Sequence, residues 1–236
     1  MSFLRITKIL YTATHPICWR ALAYGVVPAI EHLVVLRSLV VDGVMDVGAN
    51  RGQFTLACRQ VLPRVPILAF EPIPDEAKTF RQVHGRDTGI ELIETALGES
   101  SRVATLHLSR SPDSSSLLPI SSDQVKLFPG TAGVGALTVP VQRLDDLAGR
   151  WVGRSRQLFK LDVQGFELSV LKGAVQTLGS CAHVYVECSE IPLYEGQALR
   201  AEVQSFLEGR GFRLVGRFNP SLSEGRLIQA DYLFSR

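Results

Sequence analysis

Four acidic residues stand at or beside the ends of apolar, strand-like runs in this chain. Asp46 lies in Val44-Met45-Asp46-Val47, Glu71 follows Ile67-Leu68-Ala69-Phe70, Asp162 follows Leu158-Phe159-Lys160-Leu161, and Glu187 follows Val184-Tyr185-Val186. Open parallel sheets bind ligands beyond the carboxyl ends of their strands, so the four should face one crevice. A carboxylate there can accept hydroxyl hydrogen bonds, pair with a ligand cation, or take a proton as a general base. Glu71 lies 23 positions after Gly48, close to the separation at which a βαβ unit delivers an acid to the 2′ and 3′ oxygens of a ribose. Asp162 is the leading candidate to lie near the reacting group. Each acid alone would also suit a helix cap or a solvated turn; their succession is what points to a site.

The element that must position them is the first strand and the turn after it, Gly48-Ala49-Asn50-Arg51-Gly52. Glycines let backbone N–H groups approach a ligand that a Cβ would hold off, and the helix that starts near Phe54 turns its positive end to the same place. The spacing is Gly-x-x-x-Gly, without the third glycine of the dinucleotide pattern G-x-G-x-x-G. A nicotinamide-dependent oxidoreductase is disfavoured on that ground. A glycine-rich turn in some other α/β protein is the bland alternative for this segment taken alone.

Hydrophobic residues make up 46% and charged residues 20% of 236 residues, which fits a globular chain with a large core. The net charge of +2 comes without a basic block, so nucleic acid is not an expected partner. The cysteines, Cys18, Cys58, Cys181 and Cys188, form no C-x-x-C pair and read as free thiols of a reducing, cytoplasmic compartment. Residues 1–43 read as an N-terminal helical segment, a cap or an oligomer contact such as a homodimer. Pro16, Arg20 and Pro28 interrupt its apolar run, which excludes a transmembrane span; a weak membrane-surface contact is the remaining membrane option. Leu33, Val34, Leu36, Leu39 and Val40 suggest a helix face ending at Gly43.

Residues 44–236 read as one α/β domain. Asp75 to His84 and Gln197 to Arg210 are expected helices, and Ile90 to Gly98 an expected strand and turn. Arg102 to Ser109 alternates like a half-exposed strand. A loop rich in Ser, Pro and Gly should run from Arg110 to Ala136, with the hydroxyls of Ser114-Ser115-Ser116 able to reach a polar pocket. Leu137 to Val141 is extended, with Pro140 arguing for an edge. Leu144 to Leu147 opens a short helix that Asp145 would cap. Two closing strands, 212–215 and 230–234, should flank a polar loop from Asn219 to Arg226.

The ordered set DVGANRGQF (46–54), AFEPIP (69–74), TALG (95–98), SSSLL (114–118), VPVQRLDDL (139–147), FKLDVQGFELSVLKG (159–173) and VYVEC (184–188) resembles the FkbM family of S-adenosylmethionine (SAM)-dependent methyltransferases. The resemblance covers roughly residues 44 to 236. It implies a class I Rossmann-like methyltransferase sandwich, with a mostly parallel seven-stranded sheet and one antiparallel strand near the C-terminus. It also implies methylation of a hydroxyl oxygen on a sugar, a glycan or a secondary metabolite. By the same resemblance Asp46, Gly48, Asn50, Gly52 and Gln53 form the SAM amino-acid pocket, Glu71 holds the ribose, and Thr95 with Ala96 approaches the adenine. Lys160, Asp162, Gly165 and Glu167 match the family stretch K-x-D-V-E-G-x-E, in which Gln164 replaces a glutamate.

A hydroxyl is a poor nucleophile until its proton leaves, so a base near the sulfur is expected. The candidates are Asp162, then Glu187 and His107. A divalent cation such as Mg2+ is an alternative activator. Asp162 with Glu187 would offer it two oxygens, which do not establish a metal site. A catalytically silent SAM-binding protein of a biosynthetic assembly is the other reading.

Overall fold

A computed structural model describes residues 3–15, 18–147 and 154–236. The chain enters through α1 (Phe3–Thr14), α2 (Trp19–Leu22) and α3 (Leu33–Ser38). The expected break at Pro16 lies outside the described residues. Leu33, Val35 and Leu36 of α3 are buried, whereas Val34 and Val40 are exposed. The expected helix face is thus corrected: α3 stops at Ser38, Leu39 is extended, and Gly43 opens the first strand instead of ending a helix. Leu33, Leu36 and Val41 share a core with Val44, Phe54, Leu158 and Tyr185, so the N-terminal segment packs directly onto the sheet.

The elements that follow are β1 (Gly43–Val47), α4 (Gln53–Val61), β2 (Ile67–Phe70), α5 (Pro74–His84), β3 (Ile90–Ile93), β4 (Ala96–Leu97) and β5 (Arg102–Ser109). Then come α6 (Ser122–Leu127), β6 (Gly133–Gln142), α7 (Leu144–Leu147), β7 (Gln157–Leu161), α8 (Glu167–Lys172) and α9 (Val175–Leu178). The chain closes with β8 (Cys181–Ser189), α10 (Arg200–Glu208), β9 (Arg213–Ser223) and β10 (Arg226–Ser235).

Among these residues, seven strands form one sheet in the order β3-β2-β1-β7-β8-β10-β9. The first five are mutually parallel, and β10 runs antiparallel to both β8 and β9. This is the expected mostly parallel sheet with one reversed strand. Every residue of β1 and β7 is buried, because parallel strands are covered on both faces and so read as apolar runs. Met45 and Phe159 enter one core, Val44 and Leu158 the other. The strand order reverses between β1 and β7, which opens the crevice where such sheets bind ligands.

Several expectations fail around a second, three-stranded sheet, β4-β6-β5. The strand expected over Ile90 to Gly98 is two strands, because the chain leaves the main sheet after Ile93 and pairs Ala96 with Val141. Thr95 Oγ1 secures the change by donating to the Pro140 carbonyl at 3.1 Å. Pro140 sits in a strand with neighbours on both sides, yet β4 pairs only with Val141 and Gln142. At Pro140 itself the ladder has β5 alone, so the missing N–H costs nothing. The expected long loop contains α6 and the start of β6. The polar stretch 219–226 is mostly strand, with a tight turn at Glu224 (φ 50) and Gly225 (φ 76), the positive pair that a two-residue hairpin requires. Among the described residues, no helix is long and apolar enough to cross a membrane.

Candidate active site

At the reversal between β1 and β7 lies a half-open cleft. Gly48 and Asn50 come to it from the turn after β1, Glu71 and Ile73 from the turn after β2, and Thr95 and Ala96 from the link between sheets. Asp162, Gln164 and Phe166 arrive from the turn after β7, and Ser115 to Leu117 descend from the second sheet as a strap.

Glu71 is 4% exposed. Its Oε2 accepts from the Asn50 N–H and its Oε1 from the Ile73 N–H, both at 2.8 Å. Burial pushes its pKa up to about 7, against the lowering effect of those two N–H donors. Each oxygen has used one acceptor position, and a carboxylate oxygen has two. The remaining positions can take a vicinal pair of hydroxyls.

The glycine turn is shaped first by protein packing. Gly48 has φ 74, and a Cβ on it would lie 1.8 Å from the carbonyl oxygen of Asp162. Gly52 has φ 87, and a Cβ there would lie 2.3 Å from His84 Nε2. His84 is buried beneath the turn, and its pKa falls to about 4 chiefly through that burial. The glycines therefore let β1 meet β7 and let the turn sit on α5, and they free the cleft side only at Gly48 and Asn50.

Asp46 is 0% exposed and is corrected from cleft wall to buried support. It pairs in register with Lys160 across β1 and β7. Its Oδ2 accepts from Thr55 Oγ1 at 2.8 Å, and its Oδ1 lies 3.1 Å from Lys160 Nζ. The ammonium also donates to the Gly48 carbonyl at 3.1 Å and stands 3.8 Å from Asp162 Oδ2. Burial works against the Lys160 charge, but Asp46 and Asp162 outweigh it and hold the pKa above the ordinary lysine value. The ion pair thus locks the turn from below while turning positive charge toward Asp162.

Asp162, with its side chain 38% exposed, is the predicted base that reaches the cleft. Gln164 Nε2 donates to Asp162 Oδ1 and to Glu187 Oε2, both at 2.8 Å. Glu187 is one amide behind the cleft wall and is not part of it. Its pKa is raised well above the usual range, first by burial and then by the charges of Asp162, Asp231 and Glu167. The structure does not bring His107 to the cleft: its backbone pairs with Ser116 and holds the strap against β5. Gly52 and Gln53 also lie outside the wall. Gly52 is occupied by His84, and Gln53 accepts the Ala29 N–H from the N-terminal segment.

Sequence reasoning missed Tyr194, whose hydroxyl lies 2.7 Å from Gln164 Oε1. Nor did it reveal the cluster of His32, Tyr185, Asn219 and Asp231, where the Tyr185 hydroxyl donates to Asp231 Oδ2 at 3.0 Å and Asn219 Nδ2 donates to the same oxygen at 2.7 Å. Among the described residues, no three or more His, Cys, Asp or Glu side chains gather so as to hold a metal ion.

A family model described as the methyltransferase FkbM domain matches residues 46–214. The chain belongs to the FkbM methyltransferase family. Among curated proteins, the 2-O-methyltransferase NoeI of Sinorhizobium fredii is 28% identical over 191 residues, covering 78% of this chain and 77% of that protein. Methyltransferase sdnD of Sordaria araneosa is 27% identical over 195 residues, covering 73% and 74%. A solved Clostridium thermocellum protein, provisionally named an rRNA-methylase, superposes with a TM-score of 0.50 at 9% identity, covering 87% and 93%; that likeness is one of fold.

An FkbM methyltransferase uses SAM, and the cleft has the donor set for it. Glu71 keeps two free acceptor positions, which would suit a ribose, and Ile73, Ala96, Leu97 and Phe166 make an apolar wall that would suit a purine. Asp162 places a carboxylate at the β7 end of the same wall.

Proposed function

We propose that this methyltransferase transfers the SAM methyl group to a hydroxyl oxygen of a small molecule, a sugar or glycan or a secondary metabolite. The observation that carries the reading is Asp162: a carboxylate on the cleft wall, with one oxygen held by Gln164 and the other 3.8 Å from Lys160. The 2-O-methyltransferase among the relatives supports a hydroxyl acceptor.

Bound SAM supplies an electrophilic methyl carbon on a sulfonium. Glu71 would hold the ribose, Thr95 and Ala96 would border the adenine, and Gly48 and Asn50 would face the amino-acid end. Asp162 would take the proton of the acceptor hydroxyl as that oxygen accepts the methyl group, with S-adenosylhomocysteine as the leaving group. The strap of Ser115 to Leu117 keeps water from the reacting atoms, since in-line displacement depends on positioning and exclusion of solvent. The described part of the N-terminal segment would cap the acceptor side, with His32 packed against Phe54 and Tyr185 at ring-centroid distances of 5.3 and 5.5 Å. Four free, buried cysteines support a cytoplasmic setting.

The test is incubation with methyl-labelled SAM and a panel of methyl glycosides, with products read by mass spectrometry and NMR. The expected product carries a new methoxy group. Transfer confined to nitrogen or carbon acceptors, or none to any hydroxyl, would reject the reading.

A further inference from the structure

The side-chain amide of Gln164 is hydrogen-bonded at both ends. Nε2 has two hydrogens, and it lies 2.8 Å from Asp162 Oδ1 and 2.8 Å from Glu187 Oε2. Oε1 accepts from the buried Tyr194 hydroxyl at 2.7 Å. The residue's own carbonyl accepts from Ser116 Oγ at 2.7 Å, and its backbone takes the left-handed φ of 54. These partners settle which way the amide points, because the reverse orientation would aim a carbonyl oxygen at two carboxylates. The carboxylates are also held from outside: Lys160 stands 3.8 Å from Asp162 Oδ2, and Gln229 Nε2 donates to Glu187 Oε1 at 3.1 Å. Asp231 lies opposite Glu187 in the ladder and Glu167 begins α8 close by, so the surroundings are acidic apart from Lys160.

We propose that Gln164 is a positioning residue that joins Asp162 and Glu187 into one unit, its amide nitrogen gathering two oxygens that a divalent cation would otherwise have to bridge. Two inward-facing carboxylate oxygens from neighbouring strands are the start of an oxygen site for Mg2+ or Mn2+. The amide gathers the same two oxygens without a metal and keeps Asp162 aimed into the cleft. Its catalytic meaning rests on the reading of Asp162 as the base; the geometry does not. A glutamate at 164 would keep the length of the side chain and the Tyr194 hydrogen bond, and it would turn a third carboxylate oxygen toward the other two. Cis oxygen ligands about 2.1 Å from such a cation lie about 3 Å apart, near the separations already present. One substitution should therefore turn the amide bridge into a cation site.

The experiment measures Mn2+ binding by electron paramagnetic resonance and calorimetry for the wild type, Gln164→Glu, and Gln164→Glu combined with Asp162→Asn. Thermal melts of each report an intact fold, and S-adenosylhomocysteine titration reports the state of the cleft. The proposal expects no specific Mn2+ site in the wild type, one site about tenfold or more tighter in Gln164→Glu, and loss of that gain in the double variant. Equal Mn2+ affinity in the wild type and Gln164→Glu overturns it. So does a Gln164→Glu protein that binds S-adenosylhomocysteine but gains no Mn2+. A second measurement needs no variant: both Gln164 side-chain amide protons should exchange slowly with solvent in the wild type, and fast exchange overturns the bridge. Failure of the wild type to bind S-adenosylhomocysteine would instead strike the functional reading, leaving the Mn2+ comparison intact.

Discussion

Gly48 stands against Asp162 so closely that a Cβ on the glycine would lie 1.8 Å from the Asp162 carbonyl oxygen. The turn that faces the cleft and the strand end that carries Asp162, the proposed base, are therefore one packed unit. Gly48→Ala must push β1 and β7 apart and also strain a backbone at φ 74. We expect it to cost roughly 3 kcal/mol or more of stability, read as a lower midpoint in urea, together with loss of S-adenosylhomocysteine binding. A variant as stable as the wild type would mean the contact is easily relieved.

Lys160 and Asp46 make a buried pair whose members cannot be removed singly at low cost. Lys160→Ala leaves the Asp46 carboxylate, 0% exposed, with only Thr55 as partner. Stability should fall by about 3–5 kcal/mol. Chemical denaturation is the check, and a loss below about 1 kcal/mol would show the pair to be dispensable.

Glu71 makes ligand affinity depend on pH. Its pKa of about 7 in the free protein reflects burial, and ribose hydroxyls are better held by the ionised form. Affinity for S-adenosylhomocysteine should climb from pH 5 to 8, and Glu71→Gln should flatten that slope. The free fold moves the other way. A carboxyl pKa raised in the folded state gives stability that is full below the unfolded value near 4.5 and is lost as pH rises through about 7. Glu167, also raised to about 7 by burial, adds to the same trend, so the Glu71 share is the difference between wild type and Glu71→Gln. Thermal melts across that range check the second sign.

Asp162→Asn should lower methyl transfer by about 10²–10⁴-fold while changing S-adenosylhomocysteine affinity far less. Steady-state kinetics beside calorimetry separates the two. Equal loss of both would make Asp162 a ligand-positioning residue.

The sheet was legible because parallel strands covered on both faces are written as unbroken apolar runs, as in β1 and β7. The place of Glu71 on the cleft wall was legible for a related reason, since strand, acid and glycine turn occur at a fixed spacing. Asp46 misled because an acid in an apolar strand looks the same whether it faces a ligand or a buried lysine. The break at Thr95 was hidden because β4 has only two residues, too few to show a period. Asp145 was expected to cap its own helix; instead it accepts from the N–H groups of Gln176 and Thr177. The link from Tyr194 to Gln164 spans 30 residues, and nothing local in the sequence marks it.

The most direct test of the cleft as a SAM site is calorimetric titration of the wild type and Glu71→Ala with S-adenosylhomocysteine, and of the wild type with NADH. The account predicts one S-adenosylhomocysteine per chain, an affinity lowered by roughly 1–3 kcal/mol in Glu71→Ala, and no response to NADH. Unchanged affinity in Glu71→Ala, or a wild type that ignores S-adenosylhomocysteine, would contradict it.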